Sequence, residues 1–370
     1  MIVKVAVLVS GGVDSSVALA RLKEQGYELT AFYLKIWLED ELSFLGECPW
    51  EEDLRYARAV CEQLEVPLEV LSLQREYHDT VVTYTIDQVK AGRTPNPDVL
   101  CNTRVKFGFF LQQVADRFDA IATGHYAQVV HEDGRVRLHQ APDAVKDQTY
   151  FLSHLTQAQL AKALFPIGDL RKEQVRALAK QYGLATCDRK DSQGICFLGK
   201  LKFREFLKFH VGERSGELRE HETDHVLGSH SGFWFYTIGQ RQGIGLSGGP
   251  WYVVRKDTDA NRVYISRQYY EPDKARDSFA VTDCNWIGQQ PKDGEQLRVK
   301  VRHGAHSHTC SVRHVGDSLL VQLDERDQGL APGQFAVFYR GDECLGGGMI
   351  ADCTKRERVG DSQVPPRVLP

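Results

Sequence analysis

The chain has 370 residues, 42 % of them hydrophobic and 26 % charged, with 46 Lys and Arg against 50 Asp and Glu for a formal net charge of −4. That length exceeds what one hydrophobic core usually serves, so two or three domains are expected, and the composition excludes a disordered chain. No apolar run reaches the roughly 20 residues of a membrane helix, which makes a cytoplasmic protein the expectation, and the slight acidity confines any RNA-binding face to a local patch.

Up to about residue 190, short apolar runs alternate with amphipathic stretches. Residues 3–9, 29–37, 67–73 and 120–123 read as strands, and residues 17–24, 54–64, 77–90 and 106–118 as helices, a pattern that predicts an α/β unit with a parallel sheet and helices on both faces. Residues 156–182 read as helical, broken at 165–168, and rich in Lys and Arg. From about 199 the texture changes. A short basic stretch at 200–209 is followed by alternating runs at 233–238, 251–255, 262–265, 297–301, 319–323 and 334–339, which predict two small β-rich modules with a boundary near 280, the last a β-barrel. The predicted domains are therefore 1–199, 200–279 and 280–360, with a tail at 361–370.

The segment Ser10-Gly11-Gly12-Val13-Asp14-Ser15-Ser16 lies between a predicted strand and a predicted helix, where backbone N–H groups and hydroxyls can surround an anion. It lacks the Gly-Lys-Ser/Thr ending of a Walker loop, which removes the common kinase or GTPase reading. Its form resembles the PP-loop of ATP pyrophosphatases, enzymes that transfer AMP to an oxygen and release pyrophosphate. The resemblance implies that Asp14 helps to hold Mg²⁺ on the pyrophosphate.

Nine cysteines, odd in number and never spaced C-x-x-C, make a poor disulfide framework and a poor zinc or iron–sulfur site; most read as reduced core thiols. Two stand out. Cys101 follows two prolines and precedes a helix candidate, and a helix N-terminus lowers a thiol pKa. Cys196 lies in a polar run with cations and Gly194 nearby, where Cys187 competes with it for the role of sulfur carrier. Two reactive cysteines far apart in sequence suit a thiol exchange in which one carries sulfur and the other resolves it.

PNPDVLCN at 95–102, TGHYA at 123–127, KDQTYFL at 146–152, DSQGICFLG at 191–199, YTIGQRQGIG at 236–245 and APGQFAVFY at 331–339, together with the phosphate loop, resemble the bacterial tRNA-specific 2-thiouridylases over nearly the whole chain. This implies a Rossmann-like PP-loop catalytic domain, a central tRNA-contacting domain and a C-terminal barrel. It also implies ATP-dependent 2-thiolation of the tRNA wobble uridine, by adenylation of the 2-carbonyl oxygen and sulfur transfer from a cysteine persulfide, with release of AMP and pyrophosphate. By the same resemblance Leu8, Val9, Ser10, Gly11, Gly12, Val13, Asp14, Ser15, Leu34 and Gly124 line the ATP site. Cys101 and Cys196 are the catalytic pair, ending as a disulfide. Asn96, Pro97 and Asp98 meet the target base, while His125, Lys146, Asp147, Gln148, Arg302, His303 and Gln334 meet tRNA. The partners implied are the anticodon stem-loop and a sulfur-donor protein such as a cysteine desulfurase or sulfur-relay protein.

Two further patterns compete for notice. Gly243 to Gly248 fits G-x-G-x-x-G, but an apolar run follows it where a dinucleotide fold needs a helix, so it reads as a turn-rich loop. Residues 298–314 hold Arg298, Lys300, Arg302, Arg313 and four histidines with no acid, which predicts a basic strand facing RNA phosphate rather than a metal site.

Overall fold

The structure, a computed structural model, describes residues 3–36, 49–191, 203–271, 274 and 276–351. Its first unit contains β1 (Lys4–Leu8), β2 (Glu28–Lys35), β3 (Leu68–Ser72), β4 (Ala120–Ala122), β5 (Ala127–Glu132), β6 (Arg135–Gln140) and β7 (Ala163–Leu164). Five of these form a parallel sheet in the order β3-β2-β1-β4-β7. Successive side chains of a strand point to opposite faces, and β1 shows both faces covered: Val5 and Val7 pack with Val17, Leu54 and Val175, whereas Ala6 and Leu8 pack with Tyr77, Val81 and Phe110. The helices Val13–Glu24, Pro49–Gln63 and Lys172–Gln181 supply the first face. The second is covered by a helical run between β3 and β4 that contains π-helical turns at His78–Val82 and Cys101–Phe109.

The central unit opens with the helix Phe203–Val211 and contains β8 (Gly216–Glu220), β9 (Val226–His230), β10 (Tyr252–Asp257) and β11 (Arg262–Ser266), in the order β10-β11-β8-β9 with β11 and β8 parallel. The strand expected at 233–238 is instead a 3₁₀ turn, Phe233–Phe235, because its adjacent aromatics are all drawn toward apolar neighbours rather than alternating. β10 follows the glycine-rich loop at 243–248, as the sequence indicated.

The last unit holds β12 (Arg276–Trp286), β13 (Gln296–Lys300), β14 (His308–Val315), β15 (Ser318–Asp327), β16 (Phe335–Arg340) and β17 (Glu343–Ile350). The order β12-β15-β14-β13-β16-β17 closes on itself through β12–β17 pairing around an apolar interior that includes Val299, Val312 and Phe338. Gly346 makes closure possible: its φ is +112°, and a Cβ there would lie 2.1 Å from the Asn285 carbonyl oxygen.

The barrel does not stop at its own strands. β6 of the first unit pairs with β17, Glu343 opposite His139 and Cys344 opposite Leu138, and β5 pairs with β6 as a hairpin. Asn285 Nδ2 donates to the Ser153 and Leu155 carbonyls, both at 3.1 Å, and Gln157 Nε2 donates to the Ile287 and Val136 carbonyls, both at 2.7 Å. First unit and barrel thus share one sheet and one apolar cluster, in which Tyr150 and Leu138 meet Phe335 and Tyr339.

Candidate active site

β1 is flanked by β2 on one side and β4 on the other, and the ends of these strands gather the residues expected at an ATP site. Ligands of open α/β sheets bind outside the carboxyl ends of the strands, where the strand order reverses. The loop after β1 enters the helix Val13–Glu24 through Gly12. Ser15 Oγ accepts from the Ser10 N–H at 3.1 Å and donates to the Gly12 carbonyl at 3.1 Å, while Ser16 Oγ donates to the same carbonyl at 2.8 Å. Two glycines permit the close approach: a Cβ at Gly11, where φ is +72°, would fall 2.2 Å from the Asp53 carbonyl oxygen, and one at Gly124 would fall 2.7 Å from the Ser15 nitrogen. Leu8, Val9, Val13 and Ser15 are buried, and Leu34 lies opposite Leu71 near the end of β2.

Asp14 Oδ1 accepts from Tyr126 Oη at 2.8 Å and from Lys172 Nζ at 2.7 Å. Burial, then the Asp14 charge, pushes the Tyr126 phenol well above its usual range, so it stays a donor. Lys172 also reaches Asp191 at 2.9 Å, and Asp191 takes Lys146 at 2.8 Å and Arg176 as well. Against the upward push of partial burial, Lys146 and Lys172 hold the Asp191 carboxyl far below its ordinary value. Arg189 donates to the Gly11 carbonyl at 2.7 Å and pairs with Asp53. Tyr126 lies inside the TGHYA motif, but nothing local in the sequence marks Lys172, 158 positions after Asp14, as its partner.

The segment expected to meet the base begins a helix, Pro97–Leu100, with Pro97 in its first turn and Asn96 ahead of it. The barrel holds this segment from behind. Gln334 Nε2 donates to the carbonyls of Thr94 at 3.2 Å and Pro95 at 3.4 Å, and the Thr94 N–H donates to the Pro332 carbonyl at 2.7 Å. Tyr150 Oη donates to the Phe335 carbonyl at 3.0 Å, and two residues earlier Gln148 Oε1 accepts from the Tyr126 N–H at 3.0 Å. Residues 148–150 thus run between Tyr126, which bonds Asp14, and the barrel loop that carries Gln334.

Cys101 corrects the expectation of a thiol activated by a helix N-terminus. The helix starts four residues earlier, at Pro97, so Cys101 sits inside it, 1 % exposed, in an apolar cluster with Tyr77, Val99 and Val105. Burial raises its pKa, only partly opposed by the Lys106 charge and a Tyr77 hydrogen bond. Cys187 is half-buried, while Cys196 lies outside the described residues.

Of the residues expected at tRNA, Arg302 and His303 are exposed, Lys146, Gln148 and Gln334 are half-buried, and two are enclosed. His125 is held by Thr123 Oγ1 at 2.7 Å, and burial, followed by the Lys106 charge, keeps its imidazole neutral. The Asp147 carboxylate is 1 % exposed and accepts from Lys300 Nζ at 2.8 Å, Gln140 Nε2 at 3.0 Å and Thr149 Oγ1 at 2.9 Å. Lys300 is 2 % exposed, which corrects the reading of 298–314 as a continuous phosphate-facing strand: at this position the cation points inward to a carboxylate of the first unit. His303 Nε2 meets the Asp147 carbonyl at 3.2 Å while its ring stacks on Phe151 at 4.5 Å.

Three families match in succession: residues 3–200 match one described as tRNA methyl transferase HUP domain, 204–267 one described as tRNA methyl transferase PRC-barrel domain, and 276–350 one described as aminomethyltransferase beta-barrel domain. The chain is also similar to curated proteins named tRNA-specific 2-thiouridylase MnmA. The relative from Parabacteroides distasonis is 46 % identical over 358 residues, spanning 95 % of this chain and all of that protein. Relatives from Bacteroides thetaiotaomicron, over 94 % of this chain and 99 % of that protein, and from Porphyromonas gingivalis, over 94 % and 98 %, are each 44 % identical.

Proposed function

The chain belongs to the tRNA-specific 2-thiouridylase family and is a tRNA sulfurtransferase, and on that premise we propose that it replaces the 2-oxo oxygen of the wobble uridine with sulfur, using ATP. A carbonyl oxygen is a poor leaving group. The uridine O2 attacks the α-phosphorus of ATP, pyrophosphate departs, and the oxygen becomes part of an AMP ester that can leave from C2. Leu8 to Ser15, Leu34 and Gly124 hold the nucleotide. Asp14, the one carboxylate within the loop, fits as the holder of Mg²⁺, which when bound neutralises pyrophosphate oxygens.

Sulfur arrives on Cys196 as a persulfide from a donor protein. Cys101 thiolate attacks Cys196 Sγ and forms the disulfide; the terminal sulfur either departs as sulfide that adds to C2 or is already bonded to C2 when the S–S bond breaks. Both routes end with AMP carrying the uridine oxygen and a Cys101–Cys196 disulfide that external thiol must reduce. The uridine leaves its stack to reach Asn96, Pro97 and Asp98. His125, Lys146, Gln148, Arg302, His303 and Gln334 serve tRNA, directly or by positioning, while Asp147 acts through Lys300 to hold residues 146–150. The three units correspond to a catalytic body, a central tRNA-contacting module and a barrel, at work in the cytoplasm.

The observation that carries this reading is the loop Ser10 to Ser16, with Asp14 at its mouth and Gly124 against its back. Transcripts carrying ¹⁸O at uridine C2 test the adenylation step: the label is expected in AMP, and label left in tRNA or released to water would remove it. Cysteine variants separate the sulfur roles. Cys196→Ser is expected to abolish both persulfide labelling and thiolation, and Cys101→Ser to keep a labelled persulfide yet fail to thiolate; a stronger defect in Cys187→Ser would reassign the carrier.

A further inference from the structure

The stretch 187–191 ends five positions before Cys196, and one side chain holds it at three points. Arg176, on the helix Lys172–Gln181, donates through Nη1 to the Cys187 carbonyl at 3.2 Å and the Arg189 carbonyl at 2.6 Å, and through Nη2 to the Asp191 carboxylate. From this stretch two side chains run to the sites described above. Arg189 reaches the Gly11 carbonyl of the phosphate loop at 2.7 Å with its guanidinium over the Tyr56 ring at 4.4 Å, and Asp191 takes Lys146, expected at tRNA, at 2.8 Å.

Stability alone does not call for this arrangement. An ion pair needs only the Asp191 carboxylate, which Lys146 and Lys172 also hold, and with the Arg176 side chain 29 % exposed such a pair contributes little. Bonds to two carbonyls instead fix the path of the main chain, which the planar fork of an arginine does and an ammonium does not. An extended chain covers at most about 17 Å over five residues, so the place of Asp191 bounds the reach of Cys196.

We propose that Arg176 is a positioning residue for sulfur transfer: by fixing residues 187–191 against the phosphate loop it brings the Cys196 persulfide to the uridine activated there, and it takes no part in nucleotide binding or adenylation. The hydrogen bonds that shape the loop, from Ser15 and Ser16 to the Gly12 carbonyl, do not involve it. This rests on the reading that the loop uses ATP and that Cys196 carries the sulfur.

First-turnover reactions test it, with a tRNA transcript, Mg-ATP and cysteine plus a cysteine desulfurase as sulfur source, on wild type, Arg176→Gln, Arg176→Lys and Cys196→Ser. Pyrophosphate release reads adenylation, and mass spectrometry of 2-thiouridine reads transfer. Arg176→Gln is expected to release pyrophosphate within about two-fold of wild type while 2-thiouridine forms at least about ten-fold more slowly, since a misplacement of about 1 Å can cost about a hundred-fold. Arg176→Lys keeps a charge for Asp191 but not the fork, and is expected to show the same split. Thiouridine falling only in step with pyrophosphate would show a structural tie, and normal thiolation in either Arg176 variant would show that the carbonyl bonds are not needed; each result overturns the proposal. Wild type that releases no pyrophosphate would overturn the ATP reading, full thiolation by Cys196→Ser would overturn the carrier reading, and the proposal falls with either.

Discussion

The cysteine expected to do chemistry is the residue whose surroundings differ most from what the sequence suggests. Two prolines and the neighbours of Cys101 read as a polar, rigid segment, but long-range packing decides burial, and Tyr77, some two dozen residues upstream, packs against the thiol. In the free chain Cys101 is expected to react with iodoacetamide far more slowly than half-buried Cys187 at neutral pH, because a raised pKa and burial both withhold the thiolate; peptide mass spectrometry over time reads it. Alkylation of Cys101 first would contradict the buried position. Gly124 was legible as a site residue only through the family resemblance, and the structure supplies the reason. Its missing Cβ lets the end of β4 rest on the backbone of Asp14 and Ser15, so Gly124→Ala is expected to displace the loop and weaken ATP binding about ten-fold or more, with little change for tRNA, as measured by calorimetry.

At the scale of elements, contiguous signals were legible and paired ones were not. The loop after β1 showed as a pair of glycines closing an apolar run, and β2, β3 and β4 as further apolar runs between amphipathic stretches. The hairpin β5–β6 went unpredicted although its Asp133-Gly134 turn, with both φ values positive at +51° and +72°, is the common two-residue signal. β7, only two residues long, was absorbed into a helical reading of 156–182. The basic pattern of β13 misled for another reason: sequence shows the alternation but not Asp147 waiting opposite Lys300. This pair joins β13 to residues 146–152, and breaking one side leaves a buried charge. Lys300→Met is expected to destabilise the chain by about 3–5 kcal/mol in urea unfolding, with Asp147→Asn/Lys300→Met recovering part of the loss. Gly346→Ala, set in positive φ against the Asn285 carbonyl, is expected to cost about 3 kcal/mol by forcing β12 from β17.

Across the whole molecule, the passage from an α/β body to β-rich modules was visible in the change of texture near residue 199, whereas the shared sheet was not, because nothing in β6 or β17 alone names its partner. The seam between first unit and barrel carries pH dependence. His154 lies edge-on to Phe335 at 4.7 Å, and burial pushes its pKa down to about 4, so the unfolded chain takes up the proton first as pH falls. Its contribution is complete above pH 6.5 and lost toward pH 4, at most about 3 kcal/mol and less for the part that solvent reaches. Urea midpoints are expected to fall between pH 7.5 and 5, and less steeply in His154→Gln. The account as a whole stands on one reaction, ATP-dependent exchange of oxygen for sulfur on a tRNA uridine. Mass spectrometry of nucleosides from tRNA incubated with the enzyme, Mg-ATP and a persulfide donor, with nucleotides quantified in the same sample, measures it directly: 2-thiouridine is expected in equal amount to AMP and pyrophosphate, and ADP with phosphate, or AMP without any thiolated uridine, would contradict it.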